Sequence, residues 1–238
     1  MLVGIACMIV WIFVSPAPKH FDVDRAVYPV KGIDVSAHNG DIDFQAVKAD
    51  TVSFVYMKAT EGTDFCDSHF AYNYNQAIRA GLLTGAYHFF RFDTPGEIQA
   101  HHFLASVAGL TFDLPLAIDV EKWGNAREYD TQNVKIQLRK MIEAIKKSGY
   151  PVIIYTNKHG LRTFIGDDFP GIHLWICSLS PSPHGPWRLW QHSHLNKVKG
   201  TPRPVDTNTY LGTKQEFMQW VKPFTVSMPD TAATYVAP

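Results

Sequence analysis

The chain has 238 residues, of which 46% are hydrophobic and 18% are charged, and this composition is typical of one globular domain of barrel size. Its formal net charge is zero, so no bulk electrostatic field draws it to nucleic acid or to an anionic membrane. We therefore expect no nucleic-acid partner, and we expect any polymer that it binds to be recognised locally.

Residues 1–17 are apolar from Leu2 to Val14 and end in a proline-containing break. This layout indicates an export signal or a short membrane anchor, with retention as an anchor slightly favoured over cleavage. The apolar run is shorter than the roughly 20 residues of a spanning helix, and no Lys or Arg precedes it. We expect export to the periplasm or the cell exterior, with membrane contact only through this segment; a buried helix is the alternative. Residues 18–29 are interpreted as a linker.

Strand-like and helical patterns alternate from residue 30 onward. The strand-like runs are residues 30–36, 53–60, 83–90, 114–121 and 151–156. Helical spacing of apolar residues separates them, so the five alternations predict a parallel sheet with helices outside it. Thr94 to Glu97 and Thr213 to Glu216 both match the capping box that opens a helix.

Three further strand-like runs follow at residues 173–178, 188–192 and 204–210. Loops with Pro and Gly separate them instead of helices, which favours antiparallel neighbours. The whole pattern predicts an α/β fold: an irregular TIM-like barrel over residues 30–224, with five β/α units followed by three strands without full helices. Residues 225–238 show no period and are expected to form a loosely ordered tail.

Four carboxylates are predicted to meet at one rim of this barrel. Asp119 and Glu121 end an apolar strand and share one face because side chains alternate along a strand. Asp34 ends the first strand and Asp206 lies in the last strand-like run. Parallel barrel strands bring their carboxyl ends together, and mutual repulsion there raises at least one pKa, as a general acid requires. The structural alternative is a charged strand terminus.

Aromatic residues in or near the strand ends offer flat apolar faces for sugar rings, although each alone is typical of a core position. These candidate substrate-binding residues are Tyr87, Phe89, Trp123, Tyr155, Trp175 and Trp190.

Other polar residues show weaker patterns. His101 and His102 are adjacent on a helix and cannot chelate one metal, and the loop histidines, His184, His192 and His194, follow no metal-ligand spacing rule. We therefore expect no metal site. Lys58 and Glu61 are interpreted as a structural ion pair.

The chain contains three cysteines, Cys7, Cys66 and Cys177, and the odd number argues against a disulfide framework. A bridge between Cys66 and Cys177 is one remaining possibility.

Between about Lys31 and Trp220 the chain resembles the glycoside hydrolase family 25 lysozymes. The resemblance rests on Gly32-Ile-Asp-Val-Ser36, Lys58-Ala-Thr-Glu-Gly62, Gly85-Ala-Tyr-His-Phe-Phe90, Asp119-Val-Glu121, Tyr155-Thr156, Trp190-Gln191 and Val205-Asp206, in this order. It implies hydrolysis of the β-1,4 bond between N-acetylmuramic acid and N-acetylglucosamine in peptidoglycan. It also implies Glu121 as proton donor, with Asp34, Asp119 and Asp206 as supporting acids. No cofactor is implied, and a monomer is expected.

Several alternatives stay open at this point. Asp119 could act as a nucleophile, orient the N-acetyl group of the substrate, or activate water. Leu179 stands where the family usually has a cleft tyrosine, and Thr207 replaces an apolar residue between Asp206 and Asn208. A wall-binding scaffold without turnover is therefore one rival. A chitinase-like barrel is the other, but Leu116 and Ala117 interrupt its acidic motif.

Overall fold

The computed structural model describes residues 21–180, 185 and 187–227. Eight strands, which we number in chain order, form a closed barrel. They are β1 (Lys31–Val35), β2 (Val52–Glu61), β3 (Leu83–Phe89), β4 (Leu116–Asp119), β5 (Val152–Asn157), β6 (His173–Cys177), β7 (Trp187–Asn196) and β8 (Val205–Tyr210). Because β1 pairs with both β2 and β8, the sheet closes on itself, and the predicted barrel is confirmed.

Helices cover the outside after each of the first five strands. They are α1 (Phe44–Ala49), α2 (Phe70–Arg79), α3 (Gly96–Ser106), α4 (Thr131–Lys147) and α5 (Lys158–Gly160), the last extended by a π-helical turn at Leu161–Ile165. The final helix α6 (Lys214–Trp220) follows β8. A 3-10 turn occupies Ala37–Asn39, and three two-residue strands lie outside the barrel at Phe65–Cys66, Thr111–Phe112 and Phe224–Thr225. Five β/α units are thus present, as predicted.

We expected the strands after β5 to be antiparallel to their neighbours, and for β6 and β7 this prediction was wrong. β6 runs parallel to β5, and β7 runs parallel to β6, so that only β8 is antiparallel to its neighbours. The connection 178–186 has to lead from the end of β6 back to the start of the parallel strand β7. It is long enough to do so because an extended residue spans about 3.3 Å and β6 has only 5 residues.

Alternation along the strands produces two apolar layers. Ala117 of β4 faces the barrel interior with Tyr56 and Trp175, while Ile118 and Val120 face the surrounding helices. Inside the barrel the rings of Tyr56 and Trp175 stack with centroids 4.6 Å apart. The prediction that Ala117 faces one side of the sheet, and Ile118 and Val120 the other, is therefore confirmed.

Trp190 belongs to the outer layer, which contradicts its assignment as a substrate-binding residue. Its ring is fully buried beside Phe21 and Tyr28, with centroids 5.7 and 5.6 Å away, and its Nε1–H donates to the carbonyl oxygen of Ser178. The strand turns Gln191 into the barrel, so Trp190 faces outward, where the segment before β1 covers it. The supposed linker thus packs against the barrel from Phe21 onward.

The two predicted capping boxes differ in outcome. Thr213 and Glu216 form one at the start of α6. Thr94 does not cap α3, because Pro95 takes the N-cap position and the side chain of Gln99 donates to the carbonyl oxygen of Thr94 instead.

Residues 225 and 226 pack against the barrel domain, although the tail was predicted to be loose from residue 225. Thr225 pairs with Thr111, and Val226 is buried with its N–H donating to the carbonyl oxygen of Leu110, so the expected loose tail does not include them.

Cys66 and Cys177 are free thiols, so the possible bridge does not form. The apolar leader lies outside the described residues; within the described part of the chain, no helix is long and apolar enough to cross a membrane.

Candidate active site

A cleft of about 790 Å³ opens at the carboxyl ends of the parallel strands. All four predicted acids line it: Asp34, Asp119, Glu121 and Asp206. Five of the six predicted aromatic residues also line it: Tyr87, Phe89, Trp123, Tyr155 and Trp175. Trp190, which faces outward, is the exception.

Asp34 and Asp206 lie directly opposite each other on the antiparallel pair β1 and β8. Gln191 of β7 bridges them, since its Nε2 donates to Asp34 Oδ2 at 2.8 Å and to Asp206 Oδ2 at 3.3 Å. The hydroxyl of Tyr155 donates to Gln191 Oε1 at 2.7 Å, which fixes the orientation of the amide. This glutamine therefore holds two carboxylates side by side.

A second amide reaches Asp34 from β8. Asn208 Nδ2 donates to Asp34 Oδ2 at 2.7 Å, and Trp175 Nε1 donates to Asn208 Oδ1 at 2.8 Å. Burial, followed by the charge of Asp206, raises the pKa of Asp34 to about 7 against the opposing effect of the two amide donors. Asp34 therefore changes its protonation state close to neutral pH.

We expect Asp34→Asn to stabilise the protein above about pH 7. The folded state keeps the proton of Asp34 up to about pH 7, whereas the unfolded state loses it near 3.8. The free energy of unfolding therefore falls as the pH rises from 3.8 to about 7. An asparagine at position 34 does not ionise, so the variant does not lose this stability. Because one pKa unit corresponds to about 1.4 kcal/mol, the gain in unfolding free energy should reach a few kcal/mol.

Urea unfolding at pH 8 and at pH 3.5 measures this gain, with Asp167→Asn on the exposed loop before β6 as the control. We expect the gain at pH 8 and its disappearance at pH 3.5. An equal gain at both values would show that ionisation of Asp34 is not its cause.

Asp119 closes β4 on the floor of the cleft. Burial raises its pKa well above the ordinary range, and the charges of Glu121 and Asp34 raise it further. Its Oδ1 is buried and has no hydrogen-bond partner among the described residues. A buried acceptor without a partner is costly, so this oxygen is ready to accept a hydrogen bond from a bound ligand.

Glu121 receives one strong hydrogen bond. Asn157 Nδ2 donates to its Oε1 at 2.6 Å. The Oδ1 of Asn157 caps α5 by accepting from the N–H groups of His159 and Gly160, which fixes the direction of the amide. Burial raises the pKa of Glu121, and Asn157 partly opposes this. A protonated Glu121 can keep this contact through Oε1 and carry its proton on Oε2.

The loop after Glu121 presents Trp123, whose side chain is 83% exposed. Arg91 holds this loop by donating to the carbonyl oxygen of Gly124 at 2.6 Å, and it also pairs with Glu61 at 3.3 Å. Glu61 binds Lys58 at 2.7 Å on the cleft wall, which fits the expected structural ion pair. An exposed indole on a fixed loop offers a flat apolar face at the rim.

His194 also lines the cleft, which the sequence did not predict. Its Nδ1 lies 2.9 Å from Asp206 Oδ1, and the hydrogen bond to Asp206, followed by that to Cys177, raises the pKa of His194 to about 11. In a regular strand, residues three apart such as Gln191 and His194 face opposite sides. Register shifts between β7 and β8 bring both to the cleft.

Comparisons with known proteins agree with this architecture. Residues 33–201 match the model of the family described as glycosyl hydrolases family 25. The uncharacterized protein YegX of Escherichia coli K12 is 34% identical over 205 residues, which cover 82% of this chain and 75% of YegX. An N,O-diacetylmuramidase of Arthroderma benhamiae is 37% identical over 223 residues, which cover 84% of this chain and 90% of the relative.

A solved structure shows the same fold. The family 25 glycosyl hydrolase from Bacillus anthracis superposes with a TM-score of 0.79 at 33% identity, and the match covers 87% of this chain and 100% of that one. The family match spans most of the barrel and includes Asp34, Asp119 and Glu121. The chain therefore belongs to glycosyl hydrolase family 25.

Proposed function

We propose that this protein is a lysozyme-type muramidase that hydrolyses the β-1,4 bond between N-acetylmuramic acid and N-acetylglucosamine in peptidoglycan. The carboxyl pair Asp119 and Glu121 on the floor of an open cleft is the observation that carries the proposal. Hydrolysis of a glycosidic bond requires two carboxyl groups with different roles, and burial favours a protonated form at this site. Clearance of purified peptidoglycan, with mass spectrometry of the fragments, tests the proposal.

In this mechanism Glu121 donates its proton to the leaving oxygen while the anomeric carbon gains positive charge. Asn157 fixes one oxygen of Glu121 and leaves the other to carry the proton. Asp119 lies on the same strand face and supplies the second carboxyl group. Asp206 supports the reaction by adding negative charge near the forming cation, and Asp34 does so where the pH exceeds its pKa of about 7.

The aromatic side chains of the cleft are proposed to bind the glycan. Trp123 presents its exposed ring at the rim, and the ring of Phe89 lies close to Gly124 of the same loop. Tyr87 lines the same cleft with a partly exposed side chain, whereas Tyr155 and Trp175 line it but are only 7% and 2% exposed. Stacking of sugar rings on the exposed faces of Trp123 and Tyr87 would hold the glycan chain across the carboxyl pair.

A wall-binding scaffold is the second candidate, and Leu179 favours it because leucine lacks the hydroxyl group that the family usually supplies at this position. The complete set of four acids in one cleft favours the enzyme. Cleavage by the wild-type protein decides between them, because a scaffold would bind glycan without releasing fragments.

We propose that the apolar leader exports the domain as a monomer to the compartment that contains its substrate. In the more specific form of this proposal, the leader is retained and anchors the domain to the membrane. A fusion of residues 1–30 to a reporter that works only after export should be active, and the same fusion without residues 1–17 should be inactive. An inactive full fusion would refute export, and a dimer by light scattering would refute the monomer.

A further inference from the structure

Three side chains form a cluster at the edge of the cleft, where two of them, His194 and Asp206, line it; the muramidase reaction gives a role only to Asp206. We call Cys177, His194 and Asp206 the thiol cluster. Cys177 ends β6 as a half-buried free thiol. Its Sγ lies 3.6 Å from His194 Nε2, and His194 Nδ1 lies 2.9 Å from Asp206 Oδ1. Thiol, imidazole and carboxylate therefore form one continuous chain of contacts.

This order of groups is the one that activates cysteine nucleophiles. A base or cation beside the thiol promotes its reaction, and a third group fixes the orientation of that base. Asp206 holds His194 through Nδ1, so that Nε2 points to the sulfur. The raised pKa of His194 keeps the ring protonated at neutral pH. A positively charged imidazole next to a partly exposed thiol is a typical environment of a reactive cysteine.

Cys66 provides a matched comparison within the same chain. It is also a free thiol, and it is more exposed than Cys177. Its Sγ lies 4.0 Å from His102 Nε2, but this nitrogen already lies 3.0 Å from the carbonyl oxygen of Phe65. The His102 nitrogen that faces the sulfur is therefore shared with a carbonyl, whereas His194 faces its sulfur with a nitrogen that has no such acceptor among the described residues.

We propose that Cys177 is a modification site at which small hydroperoxides oxidise the thiol to a sulfenic acid. The thiol first releases its proton to solvent; the thiolate sulfur then attacks one oxygen of hydrogen peroxide, an S–O bond forms and the O–O bond breaks. The leaving hydroxide takes a proton from the His194 imidazolium and departs as water. Sulfur is oxidised by two electrons, peroxide is reduced, and His194 regains its proton from solvent. A soluble dithiol reverses the modification.

Oxidation at this position changes the cleft. An oxygen added to Sγ needs space at the contact with His194, and moving His194 breaks its hydrogen bond to Asp206. Asp206 also receives the amide of Gln191, which holds Asp34. Because a misplacement of about 1 Å can cost on the order of 100-fold in rate, we expect a loss of muramidase activity between about 10-fold and 100-fold. This consequence rests on the proposed function, whereas the oxidation itself does not.

The test exposes the full-length protein to hydrogen peroxide and traps sulfenic acid with a selective carbon nucleophile. Peptide mass spectrometry then follows labelling of Cys66 and Cys177 separately in the wild type, in Cys66→Ser and in Cys177→Ser. We expect Cys177 to be labelled faster than the more exposed Cys66, and His194→Gln to slow only the labelling of Cys177. Labelling of Cys66 at an equal or higher rate would overturn the proposal.

Clearance of peptidoglycan before and after peroxide gives the second readout, expressed as a ratio for each variant so that differences in basal activity cancel. We expect peroxide to lower peptidoglycan clearance by the wild type and by Cys66→Ser, and dithiothreitol to restore it. Clearance by Cys177→Ser and Cys177→Ala should not change on treatment with peroxide. Equal loss in the two Cys177 variants would overturn the effect on the cleft. A wild-type protein that clears no peptidoglycan would refute the proposed function, and the labelling rates would still decide the modification site.

Discussion

Replacing Glu121 with glutamine is expected to abolish clearance of purified peptidoglycan while the fold and glycan binding stay nearly intact. Protonation of a leaving oxygen typically contributes about 10²- to 10⁴-fold to the rate, and glutamine has no transferable proton. The substituted amide has the same size, and its oxygen can still accept the hydrogen bond that Asn157 donates to Glu121. Turbidity and fragment mass spectrometry measure the cleavage, and co-sedimentation with peptidoglycan measures the binding.

Glu143→Gln provides the matched control, because Glu143 is exposed on α4 and lies outside the cleft. We expect this variant to clear peptidoglycan at the wild-type rate. If Glu121→Gln also cleared it at a comparable rate, Glu121 would not be the acid and the donor would have to be one of the three aspartates. A wild-type protein that binds without cleaving would indicate the scaffold.

The sequence predicted the barrel and the place of Asp34, Asp119 and Glu121 because these depend on simple periodicities; Asp206 reaches the same rim near the start of the antiparallel strand β8. Asp119 and Glu121 are two residues apart after an apolar strand, so they share a face, and Asp34 ends another parallel strand. Parallel strands of a barrel present their carboxyl ends at one rim, so residues from distant parts of the sequence meet there. No side-chain packing had to be known for this inference.

The amides and the histidine of the cleft could not be predicted in the same way. Trp190 and Gln191 are neighbours on one strand, so only one of them can face inward. Because a barrel interior accepts large aromatic rings as readily as the outer layer does, hydrophobicity did not decide which one. Phe21 and Tyr28, which cover Trp190 on the outside, belong to a segment interpreted as a linker. His194 reaches the cleft only through the irregular register of β7 and β8.

Asn157 shows a signal that was present in the sequence but not used. It follows the fifth strand and precedes a short helix, where asparagine is a strong N-cap residue. An N-cap at the carboxyl end of a barrel strand places one side-chain oxygen on the helix and leaves its amide nitrogen for the rim. In this protein that nitrogen meets Glu121.

Replacing Asp119 with asparagine is expected to lower kcat by about 10²- to 10⁴-fold with a much smaller change in KM. We expect a direct role in the reaction because the buried Oδ1 of Asp119 has no hydrogen-bond partner within the described part of the chain. Burial raises the pKa of Asp119, so only its ionised fraction can attack the anomeric carbon, orient the N-acetyl group or activate water, and asparagine has no ionised form. Steady-state kinetics on soluble glycan fragments measures both constants, with Asp167→Asn as the control.

The configuration of the first product, read by NMR before mutarotation, separates the three roles of Asp119 in the wild-type enzyme. Inversion would assign Asp119 to the activation of water, because a single displacement reverses the anomeric centre. Retention with a glycosyl-enzyme adduct detected by mass spectrometry would assign it as the nucleophile, and retention without an adduct would support orientation of the N-acetyl group. An Asp119→Asn variant with unchanged kcat would contradict all three, because it would show that the charge on this strand end is dispensable.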